Sequence, residues 1–95
     1  MNSYTAPLRD LRFVLFDVLQ AESLYARLGI DHAQRDLLDA VLDEAAKFTE
    51  QVLAPLNGSG DEIGCQFDKA TGAVTTPPGF KAAYDQFVDG GWSGL

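Results

Sequence analysis

The sequence predicts an all-α fold of three main helices joined by an irregular or hairpin loop. Apolar residues recur every three or four positions near residues 8–20, 32–55 and 77–89, which is the periodicity of amphipathic helices. Hydrophobic residues make up 46% of the chain and charged residues 22%, the composition of a globular domain. At 95 residues, the chain has room for one core.

The first predicted helix covers residues 8–20. Thr5 is placed to cap it, and Pro7 suits its first turn because the N–H that proline lacks would be unpaired there. Phe13 and Phe16 fall on the side opposite the main apolar stripe, so the helix is apolar on two sides and should be covered on both. That main stripe holds Leu8, Leu11, Val14, Leu15, Val18 and Leu19.

The strongest periodic pattern covers residues 32–55. It follows a short helical segment at 23–28 that Gly29 should close. Asp31 and Gln34 have the spacing of a capping box, which predicts the start of the long helix.

Beyond that helix the pattern changes. Pro55 should kink or end the helix near Ala54, with Asn57–Gly60 as a flexible turn. Residues 65–76 predict at most a two-stranded hairpin, and residues 77–89 a last helix. The predicted core is Leu11, Leu15, Val18, Leu38, Val41, Leu42, Ala45, Phe48, Val52, Phe80, Tyr84 and Phe87.

Charge and cysteine content exclude several classes of protein. The net charge is −7, and residues 36–95 carry all of it because residues 1–35 sum to zero. That sign disfavours nucleic acid and anionic membranes as partners. Cys65 is the single cysteine and cannot form an internal disulfide. No secretory signal and no apolar run of membrane-spanning length is recognisable, so we expect a cytoplasmic protein.

Three polar features are candidates for chemical sites. His32 lies near a predicted helix start without a patterned nucleophile, which favours an exposed residue over a catalytic one. Cys65 lacks a patterned histidine, which favours a buried or half-buried structural thiol over a reactive one. Asp36, Asp39 and Asp43 share one helix face, which favours a solvated surface over catalysis or a metal. No metal-ligand spacing is present.

The glycines and aromatic residues also have two interpretations each. The segment 58–64 has glycine spacing like a dinucleotide-binding loop, but it follows a helix and contains acidic residues, so we reject that function. Phe80, Tyr84 and Phe87 have helical spacing, which favours core positions over cofactor stacking. Trp92 follows two glycines and could fill the core or form a pocket wall.

Several segments in order resemble the acyl-CoA dehydrogenase family, in the branch that includes the enzymes acting on 3-methylmercaptopropionyl-CoA. The resemblance covers essentially all 95 residues and implies the N-terminal extension and the start of the N-terminal helical domain. The segments are YTAPLRDLRFVL at 4–15, FTEQVLAPLN at 48–57, DEIGC at 61–65, TTPPGFKAAY at 75–84 and GGWSGL at 90–95.

The resemblance implies a much longer parent protein. Family members have an N-terminal helical domain, a middle β-domain and a C-terminal four-helix domain, with FAD between the last two and a neighbouring subunit. A glutamate of the C-terminal domain takes the α-proton of the acyl-CoA while hydride leaves to flavin N5. No segment here matches those parts. We therefore expect residues 1–35 to be the extension, residues 36–95 an incomplete first domain, and the chain alone to lack FAD and activity.

Two other outcomes remain open. The chain could be a stand-alone, non-catalytic helical interaction module related to that family, or it could bind a regulatory partner through Phe13 and Phe16. Because the first helix is apolar on both sides, we also expect a homo-oligomer with Phe13 and Phe16 at the interface.

Overall fold

The computed structural model describes residues 3–94 and is mainly helical. Its one sheet among these residues is a two-stranded antiparallel hairpin, which confirms the all-α prediction. The chain divides into two compact units, residues 4–50 and a second unit built from residue 51 onward. The elements are α1 (Leu8–Arg12), a first π-helical segment (Phe13–Val18), α2 (Ala21–Arg27), α3 (Arg35–Phe48), a second π-helical segment (Thr49–Leu53), α4 (Ala54–Ile63), β1 (Gln66–Phe67), β2 (Val74–Thr75), α5 (Phe80–Asp89) and a 3₁₀ turn (Trp92–Gly94).

The first helix differs from its prediction at both ends. Pro7 is the N-cap residue, and no side chain caps α1, so the predicted cap by Thr5 is wrong. The helix widens at Phe13 into the first π-helical segment, where the N–H of Leu19 donates to the carbonyl of Val14 at 2.8 Å. Gln20 then takes a left-handed conformation with φ of +50°, which separates this segment from α2.

The side of the first helix that packs inward differs from the predicted one, and it combines Leu8 and Leu15 of the main stripe with Phe16. Phe16 is only 7% exposed, whereas Leu11 and Val18, both predicted for the core, are exposed. A π turn is wider than an α turn, so the 3.6-residue spacing behind the prediction does not hold across Phe13–Val18. Within the single chain Phe16 is buried and Phe13 is exposed, and the interface at Phe13 and Phe16 stays a prediction.

The helix α3 begins later than predicted and without a capping box. Gln34 is its N-cap residue, and its side chain makes no capping hydrogen bond. Instead, Gln34 Nε2 donates to the backbone carbonyl of Asp31 at 3.2 Å, which closes the preceding turn. The amide thus satisfies an acceptor outside the helix rather than a helical N–H.

Helical structure continues through Pro55, although the sequence predicted that the helix would kink or end near Ala54. The second π-helical segment precedes α4, and Pro55 lies in the first turn of α4. Pro55 has no N–H to donate to the carbonyl four residues before it. In a π turn each carbonyl accepts from the N–H five residues later, so that carbonyl can accept from the residue after Pro55 instead. Asn57–Gly60, predicted as a flexible turn, consequently lies inside α4.

Two glycines allow α4 and α5 to approach each other. A Cβ atom at Gly60 would lie 2.5 Å from Cζ of Phe80, so the Phe80 ring occupies the space where a side chain would stand. Gly79 has φ of +89°, and a Cβ there would lie 2.8 Å from Cδ2 of Leu56. Leu56 and Gly60 are four residues apart on α4, and together they receive the start of α5.

The buried apolar side chains are smaller than predicted. Besides Phe16, they are Ala21, Ala46, Pro77 and Ala83 among the described residues. Phe80, Tyr84 and Phe87 are exposed, which corrects their assignment to the core, although Phe80 still packs on Gly60. The remaining predicted core positions are partly buried: Leu15, Leu38, Val41, Leu42, Ala45, Phe48 and Val52. Among the described helices, none combines the length and apolarity that crossing a membrane requires.

Candidate functional site

The most developed polar arrangement in residues 4–50 is an ion-pair cluster between α1 and α3. Arg12 Nε donates to Asp39 Oδ1 at 2.9 Å, and Arg12 Nη2 donates to Asp43 Oδ1 at 2.7 Å. Asp39 and Asp43 are four residues apart on α3, so their carboxylates lie on one side of the helix and can share one guanidinium. We call Arg12, Asp39 and Asp43 the Arg12 clamp.

Two further contacts reinforce the clamp. Arg35, in the first turn of α3, places its guanidinium carbon 4.2 Å from the centroid of the Phe16 ring. Its Nε also lies 3.9 Å from Asp39 Oδ2. Phe16 is therefore held beneath a cation that is itself tied to the clamp.

A fourth contact holds the segment before α1. The backbone N–H of Ala6 donates to Glu50 Oε1 at 3.1 Å across 44 residues of sequence. Both ends of the first helix are thus connected to the α3 region by charged side chains, which fixes the side that the helix presents to α3.

Hydrogen bonds within the clamp stabilise the charged form of Arg12. The hydrogen bond to Asp39, followed by the one to Asp43, raises the pKa of Arg12 above its ordinary value. A comparable hydrogen bond to Glu44 raises the pKa of Lys47. The two clamp carboxylates accept hydrogen bonds from Arg12, an arrangement that orients helices and places neither carboxylate against a nucleophile.

The sequence predicted a solvated helix face for Asp36, Asp39 and Asp43. Asp36 is exposed, as expected of such a face. The side chains of Asp39 and Asp43 also remain 35% and 53% exposed, but the sequence did not predict that they bind Arg12. The charges in the sequence could have revealed the clamp. Arg12 lies in a predicted helix of the neutral segment 1–35, and Asp39 and Asp43 lie in a predicted helix of the acidic segment 36–95.

The other candidate residues are dispersed. His32 is exposed, in the turn before α3. Cys65 is also exposed, which corrects its assignment as a buried or half-buried thiol. Trp92 is half-buried, and its Nε1 lies 3.0 Å from the position that a Cβ at Gly90 would take. Within residues 3–94, no group of three or more histidine, cysteine, aspartate or glutamate side chains is arranged to hold a metal ion.

Comparison with known proteins identifies relatives over almost the whole chain. It is 37% identical over 93 residues to a 3-methylmercaptopropionyl-CoA dehydrogenase from Ruegeria pomeroyi. It is 34% identical over 92 residues to a butyryl-CoA dehydrogenase from Syntrophomonas wolfei. The chain resembles acyl-CoA dehydrogenases. These alignments cover 98% and 95% of this chain, and they confirm the resemblance expected from the sequence segments.

The matched region is a small part of each dehydrogenase. The chain spans 16% of the Ruegeria pomeroyi protein and 15% of the Syntrophomonas wolfei protein. No protein-family profile matches the chain. The likeness to acyl-CoA dehydrogenases therefore concerns a helical segment and does not extend to the greater part of either relative.

Proposed function

We propose that this chain is the N-terminal portion of an FAD-dependent acyl-CoA dehydrogenase, an oxidoreductase that forms the α,β double bond of an acyl-CoA thioester. The observation that carries the proposal is 37% identity across 98% of the chain to a dehydrogenase of which it spans 16%. In this proposal, residues 1–35 form the N-terminal extension and residues 36–95 the first part of the N-terminal helical domain. The complete protein is cytoplasmic and homo-oligomeric.

The flavin site and the catalytic base of this dehydrogenase lie outside the 95 residues. The net charge of −7 supports that assignment, because the diphosphate of FAD is itself an anion. Arg12, Arg35, Lys47 and Lys81 are each within 4.0 Å of a carboxylate oxygen, which leaves Arg9, Arg27 and Lys69 as the other cations. No catalytic step is assigned to these residues.

The contribution of this chain is therefore structural. The Arg12 clamp fixes the first helix on α3, and the contact of Phe80 with Gly60 fixes α5 on α4. Each contact defines which helix faces remain available to the rest of a dehydrogenase. Activity would come from segments that supply FAD, the acyl-CoA site and the proton-accepting glutamate.

A chimeric enzyme tests this proposal. The segment of the Ruegeria pomeroyi dehydrogenase that aligns with this chain is replaced by the 95 residues, and bound flavin and dehydrogenation with an artificial electron acceptor are measured. We expect a flavin-loaded, active chimera, while the 95-residue chain alone is colourless and inactive. A chain that binds flavin stoichiometrically, or that turns over acyl-CoA unaided, would contradict the assignment.

A second candidate function is a stand-alone helical interaction module without catalysis. The many exposed apolar side chains, among them Phe13, Phe67 and Tyr84, favour it. The mass of the native protein distinguishes the two functions. A species of 10.3 kDa would support the module, whereas a polypeptide about six times longer would support the dehydrogenase.

A further inference from the structure

The pair Asn57–Gly58 on α4 has the chemistry of a deamidation site. The sequence contains two asparagines, Asn2 and Asn57, and of these only Asn57 precedes a glycine. Glycine has no Cβ to hinder its backbone nitrogen, so that nitrogen can reach the side-chain carbonyl of the preceding asparagine once the backbone is free to turn. Asn57 and Gly58 are both exposed, and a Cβ at Gly58 would meet nothing within 4 Å. Solvent therefore has access to the reacting atoms.

The reaction needs no reagent besides water and hydroxide. Hydroxide removes the N–H proton of Gly58, and the nitrogen forms a bond to Cγ of Asn57. The bond from Cγ to the side-chain nitrogen breaks, and ammonia leaves after taking a proton from water. Water then opens the cyclic succinimide at either carbonyl and gives aspartate or isoaspartate. The net change converts a carboxamide and water into a carboxylate and ammonium, with no oxidation or reduction.

In the folded chain, α4 holds the reacting nitrogen away from Cγ. Asn57 and Gly58 both lie inside the helix Ala54–Ile63. Beyond the first turn of an α-helix, each N–H donates to the carbonyl four residues before it, so the helix engages the N–H of Gly58. The nitrogen cannot turn towards Cγ of Asn57 while that bond is in place. Deamidation consequently requires local opening of α4.

Contacts with α5 keep this part of α4 helical. Residues 58–60 are Gly-Ser-Gly, a run of low helix propensity. The Phe80 ring occupies the space beside Gly60, with Cζ 2.5 Å from the position that a Cβ there would take. One turn earlier on α4, Cδ2 of Leu56 lies 2.8 Å from the corresponding position at Gly79. These two contacts lie on either side of the reacting pair along the helix, so loss of α5 would free the pair.

We propose that Asn57 is a deamidation site controlled by the packing of α4 on α5. The packed helices suppress the reaction, and their separation permits it. The product places a carboxylate four residues before Asp61 on the same helix, where like charges repel. Isoaspartate also adds a methylene to the main chain, which disrupts the helical hydrogen bonds. A transient separation of the two helices thereby becomes a permanent covalent change, and this inference is independent of the proposed dehydrogenase function.

Peptide mapping by mass spectrometry tests the proposal on the 95-residue chain. The chain is incubated in mildly alkaline buffer, either folded or unfolded in guanidinium chloride, and conversion at Asn57 is followed over time. The folded chain should react at least about tenfold more slowly, because only the fraction with α4 open reacts. Equal rates would overturn protection by the helix. An unfolded chain that does not react at Asn57 would overturn the site itself.

Phe80→Ala tests control by α5, and Tyr84→Ala is the matched control. Tyr84 is another aromatic residue of α5 and is 63% exposed. Phe80→Ala should accelerate deamidation of the folded chain at least about fivefold, and Tyr84→Ala should stay within about twofold of wild type. Equal rates in the two variants would overturn the role of the Phe80 contact. If circular dichroism shows that Phe80→Ala is unfolded, Phe80→Leu replaces it, and a rate no faster than that of Tyr84→Ala would have the same meaning.

Amide hydrogen exchange gives a second readout in the unmodified wild type. Exchange at Gly58 requires the same N–H to leave the helix. Folding should therefore slow deamidation at Asn57 at least as much as it slows exchange at Gly58. A smaller effect on deamidation than on exchange would show that the reaction proceeds without opening of α4, and it would overturn the proposal.

Discussion

Replacing Gly60 by alanine is the most direct test of how α4 and α5 pack. Gly60 lies within α4, where alanine would ordinarily be the better helix former. Its new Cβ would however lie 2.5 Å from Cζ and 2.8 Å from Cε1 of Phe80, well inside van der Waals contact. The Phe80 ring would have to move away, which would break its packing on α4.

Two opposing free energies determine the result. Removing a glycine from a helix stabilises the folded state by about 0.5–1 kcal/mol, with the lower value expected in the last turn. Overpacking of a well-packed core costs about 1–3 kcal/mol, and the lower end applies here because the Phe80 ring is 39% exposed and can turn towards solvent. The net change for Gly60→Ala is therefore a destabilisation of up to about 0.5 kcal/mol.

Gly58→Ala is the matched control on the same helix. A Cβ atom at Gly58 meets nothing within 4 Å, so only the propensity gain remains. In urea unfolding followed by far-UV circular dichroism, Gly58→Ala should be the more stable variant by about 1 kcal/mol. In a Phe80→Ala background, Gly60→Ala should become stabilising, as at Gly58. If Gly60→Ala stabilises the wild type as much as Gly58→Ala does, Phe80 does not lie on Gly60.

Two further predictions concern the unit of residues 4–50. Arg12→Gln should lower the melting temperature, and less so at high salt, whereas Lys81→Gln, which breaks an exposed pair within α5, should change it little. The raised pKa of Arg12 stabilises the folded state at every pH below strongly alkaline values, so the effect should be constant between about pH 6 and pH 9. Phe16→Ala should destabilise the chain by about 3–5 kcal/mol and Phe13→Ala by less than about 1, as measured by urea unfolding; equal losses would show that the first helix is turned the other way.

Local sequence patterns were sufficient for the helical class and for the position of the hairpin. Residues 77–89 contain α5 because apolar positions recur at helical spacing between a proline pair and a glycine pair. The hairpin pairs Phe67 with Val74 around a turn at Asp68–Gly72, within the loop that the sequence predicted. These features depend on periodicity and turn chemistry, which neighbouring residues determine.

Helix ends and packing faces depended on contacts that are distant in sequence. Periodicity identified two apolar sides on the first helix, and the prediction placed Leu11, Leu15 and Val18 of the main stripe in the core. Arg12 makes the choice by binding Asp39 and Asp43, about 30 residues away on α3, and Phe16 is buried with it. Glycines at 58 and 60 predicted a turn because they are poor helix formers on their own.

In the folded chain, α4 nevertheless continues through Gly60, because the absence of a side chain there admits the Phe80 ring. The sequence by itself therefore determined the helical class, the approximate place of most helices and which family the chain resembles. Tertiary structure decided which sides of those helices are buried, since that choice is a difference between long-range contacts and not a property of either segment alone.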